Sequence, residues 1–176
     1  VLLGLSLLLS SVSAGAQERH PPKSFDVAAL FALPSGGSFG KGGGALFEAL
    51  FPGSDFVLLG PQVMAFASKS SEDEVLAWLP VHAMVHYRIQ TDPKLMFFVE
   101  AGTGLTPIIG PHQTAVVWSK SLGLGLLKDQ PEGGWSPSFA FRYYEARCSD
   151  SGPCYEPSPR FFLFTVGLYR RGKVYD

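Results

Sequence analysis

The chain has 176 residues, a formal net charge of −1, 16% charged residues and 13% aromatic residues. That length accommodates one domain or one small barrel, and the lack of a basic excess argues against nucleic acid as a partner. Twenty glycines and the aromatic content suit a β-rich protein with many turns and two aromatic girdles.

Residues 1–16, VLLGLSLLLSSVSAGA, form an apolar run that ends in Ala14-Gly15-Ala16. This pattern predicts a signal peptide cleaved before Gln17, and the run is too short for a transmembrane helix. Residues 17–24 are expected to be a short periplasmic N-terminal segment, 25–171 a β-barrel and 172–176 a tail. Alternation and turn residues predict eight strands, at about 25–33, 43–51, 55–68, 75–90, 94–108, 114–127, 135–147 and 160–171. The connections at 34–42, 69–74, 109–113 and 148–159 read as longer than those at 52–54, 91–93 and 129–134. Alternation of long loops with short turns predicts an up-and-down barrel whose N-terminus is periplasmic.

The segment 76–90, LAWLPVHAMVHYRIQ, carries the class assignment. On a strand, Ala77, Leu79, Val81, Ala83, Val85, Tyr87 and Ile89 share one uncharged face. Trp78, Pro80, His82, Met84, His86 and Arg88 share the other. A helical period would mix these sets. A long strand that is apolar outside and polar inside predicts a transmembrane barrel. Other outward sets are Ala45/Phe47/Ala49/Phe51, Leu95/Phe97/Val99/Ala101, Phe139/Phe141/Tyr143 and Phe162/Phe164/Val166/Leu168, opposite the inward Glu48, Glu100, Arg142, Thr165 and Tyr169. Lys120 fits neither face of its strand without a bulge. Pro61, Pro80 and Pro137 each remove a ladder donor.

Centring the 91–93 turn near Asp92 places Met84 opposite Glu100, with His82 and His86 one diagonal step away and Arg88 nearer the turn. Glu48 and Arg142 reach the same lumen from other strands. A carboxylate beside two imidazoles has the chemistry of a proton-transfer or metal site, but a small barrel is ordinarily filled by paired polar side chains. The cluster His82, His86, Arg88, Glu100, Glu48 and Arg142 is therefore read as structural, with no catalytic residue, metal or cofactor assigned. Phe56, Leu58, Met64, Phe66, Trp78, Met84, Met96 and Phe98 are expected to point inward and plug the lumen, or to line a pocket for an acyl chain. Pro61 and Pro80, at similar heights on neighbouring strands, would weaken one seam, which reads either as a simple bulge or as a lateral gate for lipid. Cys148 and Cys154, in CSDSGPC, predict a disulfide in an oxidising compartment.

Strand number and loop order resemble the small eight-stranded outer-membrane barrels of the OmpA/OmpX-like superfamily. FFVEAGTGL (97–105), SLGLGL (121–126), FRYYEA (141–146) and FTVGLYRR (164–171) also resemble the last four strands of PagL-type lipid A deacylases. That resemblance implies a His-x-Ser-Asn motif near 144–148, where this chain reads YEARC, so the catalytic His and Ser do not transfer. The resulting expectation is an all-β, eight-stranded antiparallel up-and-down transmembrane β-barrel in the outer membrane of a Gram-negative-type bacterium. It is expected to be a monomer in contact with membrane lipid and lipopolysaccharide, with a structural or surface-interaction role. Two alternatives follow: a degenerate lipid A-modifying or acyl-chain-binding barrel, and a secreted lipocalin-like carrier.

Overall fold

Period-two alternation builds the wall of this molecule. The computed structural model describes residues 24–35, 39–70, 73–92, 95–112, 114–128, 134–147 and 158–171. The expected signal peptide and tail, and both Cys148 and Cys154, lie outside the described residues. The strands are β1 (Ser24–Pro34), β2 (Phe39–Pro52), β3 (Val57–Ser70), β4 (Val75–Trp78), β5 (Val81–Asp92), β6 (Leu95–Ile109), β7 (Thr114–Lys128), β8 (Trp135–Arg147) and β9 (Arg160–Arg171). Segments β4 and β5 are two parts of one wall strand, since both pair with β3 on one side and β6 on the other. Every pairing is antiparallel, and β1 joins both β2 and β9, from Ser24↔Arg171 to Pro34↔Phe161. The sheet therefore closes into an eight-stranded up-and-down barrel with no free edge.

The strand bounds depart from expectation in two places. β2 begins at Phe39, so the glycine-rich stretch is wall and not loop. A Cβ on Gly42 or Gly44 would lie 2.2 Å or 1.9 Å from a carbonyl oxygen of β3. These glycines permit close backbone approach inside a strand, and the first of them lies in the stretch that the sequence renders as a loop. With that loop shortened, the expected alternation of connection lengths largely disappears; the connection between Arg147 and Arg160 alone is long. The second departure is the break at Leu79-Pro80. Hydrogen bonds still cross it, from Met64 N to Pro80 O at 2.9 Å and from Leu79 N to Pro107 O at 3.0 Å.

The outer wall is arranged in rungs. Across β7, β8 and β9 they run from Trp135/Arg170 at the turn end, through Leu126/Phe139/Val166, Leu124/Phe141/Phe164 and Leu122/Tyr143/Phe162, to Lys120/Glu145/Arg160 at the loop end. From Arg170 to Arg160, strand rise and a tilt of about 40° give an uncharged band ~25 Å tall, which is the height of a barrel's apolar belt. Leu122, Leu124, Phe139 and Leu168 are half or more exposed along this band. A face this extensive would be untenable in water, which excludes the lipocalin-like carrier.

Lys120 takes the outer face with no bulge, because the β7–β8 register is unbroken from Trp118 to Leu127. Its Nζ lies 2.8 Å from Glu145 Oε2, and Arg160 Nη2 lies 3.5 Å from Glu145 Oε1. At the loop-end boundary a charge costs little, about 0–1 kcal/mol. Lys120→Leu is accordingly expected to change folding stability in lipid vesicles by less than about 1 kcal/mol; a gain of about 2–4 kcal/mol would place Lys120 inside the apolar band.

Inside, two apolar plugs bracket a polar layer. The loop-end plug contains Phe39, Phe66, Trp78, Tyr144 and Phe161, with Trp78 and Phe161 centroids 5.3 Å apart and Trp78 stacked on Phe66 at 5.8 Å. The turn-end plug contains Met96, Phe98, Leu127 and Tyr169. The expected inward residues are all buried except Phe56, which is 51% exposed. Phe56 precedes β3, outside the ladder that enforces alternation, and its ring packs 6.5 Å from Tyr87 on the outer wall.

Candidate functional site

The polar layer is assembled by register. His86 faces Glu100 directly, and Met84 faces Gly102. The expected Met84–Glu100 pairing is corrected by two residues, because the register from Val81↔Leu105 to Gln90↔Met96 is centred one residue beyond Asp92. Glu48 pairs with Gln62 on one neighbour and with Asp26 on the other. On β6–β8, Glu100 faces Gly123, which in turn faces Arg142.

Side chains complete a chain of contacts across the lumen. Gln62 Nε2 donates to Glu48 Oε2 at 2.7 Å. His86 Nε2 lies 3.2 Å from Glu48 Oε2 and 3.1 Å from Glu100 Oε2. Arg142 pairs with Glu100 through Nε and Oε1, donates from Nη2 to Oε2 at 3.1 Å, and donates from Nη1 to Thr165 Oγ1 at 2.5 Å. The His86 ring stacks on Phe98, centroids 5.2 Å apart. Glu48, Gln62, His86, Glu100 and Arg142 are all buried. A bidentate Arg–carboxylate pair in so dry a setting is held by geometry and low dielectric together.

Gly123 creates the room. A Cβ there would sit 2.7 Å from Glu100 Oε1, 2.8 Å from Arg142 Cγ and 2.9 Å from the Phe141 carbonyl. Gly123→Ala is therefore expected to destabilise the folded barrel by about 1–3 kcal/mol through overpacking, read from urea titration in vesicles. A wild-type midpoint would mean that the ion pair shifts freely.

The remaining members of the expected cluster lie elsewhere. His82 is on the inner surface but meets hydroxyls and no carboxylate: Nε2 lies 2.7 Å from Ser119 Oγ, and Nδ1 lies 3.3 Å from Ser121 Oγ. Ser119 and Tyr144 both contact Thr106 Oγ1, at 2.7 and 2.6 Å. The His82 and Tyr144 rings stack 5.9 Å apart. Ser119 and His82 have the separation of a nucleophile and its base, but they sit beneath the loop-end plug, and among the described residues Nδ1 meets the Ser121 hydroxyl and no acid to orient the imidazole. Arg88 belongs to the turn end, where it donates to Tyr169 OH at 2.5 Å and to Ser24 Oγ at 3.2 Å. Sequence reasoning missed Asp26, Gln62, Ser119 and Thr106. Gln62 was recoverable, since a β2–β3 turn centred on Asp55 sets it opposite Glu48.

Pro61 and Pro80 do not share a height. Pro61 faces Ala83 and is exposed, whereas Pro80 is buried with its carbonyl bonded to Met64 N. Together with the bonds that bridge the Leu79-Pro80 break, this separation removes the premise of one weakened seam. The outer wall does carry an apolar groove of about 1000 Å³ here, with Leu59, Pro61, Leu105, Pro107 and Val116 among its walls. In the region expected to carry a deacylase motif, Tyr144 and Ala146 point inward and Glu145 outward, with no histidine in any of these positions.

No protein-family model matches the sequence, and no curated protein does. Solved structures do match. Neisserial surface protein A is similar over 85% of this chain and 95% of its own, with a TM-score of 0.62 at 13% identity. Ail, the attachment invasion locus protein of Yersinia pestis, is similar over 86% and 99%, with a TM-score of 0.54 at 12% identity. The outer membrane enzyme PagL is similar over 82% and 97%, with a TM-score of 0.50 at 14% identity. With the closed register, the uncharged outer band and the filled interior, these likenesses establish that the chain has the fold of the small eight-stranded transmembrane β-barrels.

Proposed function

We propose that this protein is a monomeric outer-membrane barrel that acts through its architecture and its loop-end surface, with a sealed lumen. The observation that carries the reading is the pair of apolar plugs on either side of the polar layer, with Trp78, Phe161, Tyr144 and Arg142 fully buried between the walls. Eight strands enclose little more than their own side chains. The loop end supplies charge for partners: Lys69 paired with Asp73 at 2.8 Å, and His112 beside Glu74 at 3.3 Å. On the outer wall just below it, Lys120, Arg147 and Arg160 exceed Glu145 in charge, which suits the phosphates of lipopolysaccharide. Cell fractionation with a heat-modifiability gel tests the location, the expected result being a heat-shifted band in the outer membrane. A soluble periplasmic protein would overturn it. Planar-bilayer recording tests the seal: no discrete conductance steps are expected, and regular steps would refute a closed lumen.

The groove beside Pro61 and Pro107 favours a second reading, in which the outer wall seats an acyl chain. Mass spectrometry of lipid A with and without expression separates simple seating from modification. An unchanged profile is expected, since His82, although it contributes to the groove's lining, has its ring buried and held by Ser119 and Ser121.

A further inference from the structure

The polar layer holds an unusual arrangement around one nitrogen. His86 Nε2 faces two carboxylate oxygens at once, Glu48 Oε2 at 3.2 Å and Glu100 Oε2 at 3.1 Å. The ligand atoms of Glu48, His86 and Glu100 all lie within 4.8 Å of one another, and all three residues are buried. One N–H has one direction, so a proton on Nε2 can align well with one carboxylate and only poorly with the other. A cation within the triangle contacts all three.

The spacing matches a metal. Zinc bound to histidine nitrogen and carboxylate oxygen at about 2.0–2.2 Å in a tetrahedron separates neighbouring ligand atoms by about 3.3 Å. The two observed N···O distances are already close to that value, and the two carboxylate oxygens, within 4.8 Å of each other, would have to close by up to about 1.5 Å to reach it.

Charge calls for one more cation in this layer, which either a proton on His86 or a bound metal supplies. Among the described residues, the buried acids that face the lumen are Asp26, Glu48 and Glu100, and the buried arginines are Arg88 and Arg142; Glu145, also buried, belongs to the outer wall with Lys120. Arg142 is committed to Glu100 and Thr165, and Arg88 to Ser24 and Tyr169. Among the described residues, His86 is the only basic side chain in ion-pair contact with Glu48. A buried carboxylate without a cation of its own is costly. Beside it, Gln62 Oε1 is buried without a hydrogen-bond partner while Gln62 Nε2 donates to Glu48. A half-turn of that amide presents its carbonyl oxygen to the same triangle as a fourth ligand.

We infer that Glu48, His86 and Glu100, completed by the Gln62 carbonyl, form a closed structural site for a divalent transition-metal cation of the zinc type. Arg142 acts on it indirectly, fixing the orientation of Glu100. The plugs on both sides mean that the cation enters as the barrel closes and is then retained.

The test uses the full chain refolded into detergent micelles with Zn²⁺ and, separately, with Co²⁺. After removal of free metal, elemental analysis is expected to find one retained zinc per chain, and the cobalt form to show the strong visible bands of tetrahedral N/O coordination. His86→Gln and Glu48→Gln are both expected to fold and to lose at least tenfold of the retained metal, while His82→Gln retains it. Should His86→Gln fail to fold, Glu48→Gln decides alone, since it preserves shape and hydrogen bonding. Folded wild-type protein that retains no metal would overturn the inference, leaving a proton only on His86. Retention undiminished in Glu48→Gln would overturn it equally, placing the ion elsewhere, such as at His112 and Glu74.

Discussion

Arg142→Met is expected to destabilise the barrel by about 3–5 kcal/mol, the usual consequence of removing one partner from a buried ion pair. The loss of packing is small, because methionine fills much of the same volume. The loss of charge is not, since Glu100 then lies buried beside Glu48 and His86 without its guanidinium, and Thr165 loses its donor. The double variant Arg142→Met/Glu100→Met is expected to recover much of the loss, because a matched apolar replacement leaves no orphaned charge. Urea titration of folding in lipid vesicles measures both. If the single variant loses less than 1 kcal/mol, or the double variant is no better than the single, the pair is not an isolated unit in the lumen.

The other large effect belongs to the outer wall. Leu124→Arg is expected to cost about 2–4 kcal/mol in a bilayer, the penalty for a guanidinium near the midplane. Leu124 is 60% exposed and occupies the rung with Phe141 and Phe164, midway between Arg170 and Arg160. The same arginine at Leu105, one rung beyond Lys120 toward the loop end, is expected to cost no more than about 1 kcal/mol. Equal costs at the two positions would mean that the uncharged band is not seated in the hydrocarbon layer as the rungs place it.

Much of this was legible from alternation. Val81 to Ile89 all alternate outward and His82 to Arg88 inward, as a period of two requires, and the sets around Phe97, Phe139 and Phe164 follow suit. Alternation failed where the ladder stops. Phe56 lies before its strand, and Phe39 to Gly42 read as loop because a glycine, without a side chain, carries no face. The candidate site was legible only in outline. Glu48, Glu100, His86 and Arg142 were recognisable as inward charges, but their partners depend on register. A slip of two residues in the β5–β6 turn preserves every face while exchanging Met84 for His86 opposite Glu100. That slip also sent His82 to the hydroxyls of Ser119 and Ser121.

The class of wall is readable from local alternation: which residues face lipid, which face inward, and how many strands make it up. Those follow from local geometry, since a strand turns its side chains by half a turn per residue wherever it lies. Tertiary structure decided which inward residues meet. The distance from Glu48 to His86, or from Glu100 to Arg142, is set by closure of the barrel and by the stagger between strands far apart in the chain. The segment at 76–90 contains both lessons, with its faces readable in isolation and its histidines' partners settled only across the lumen.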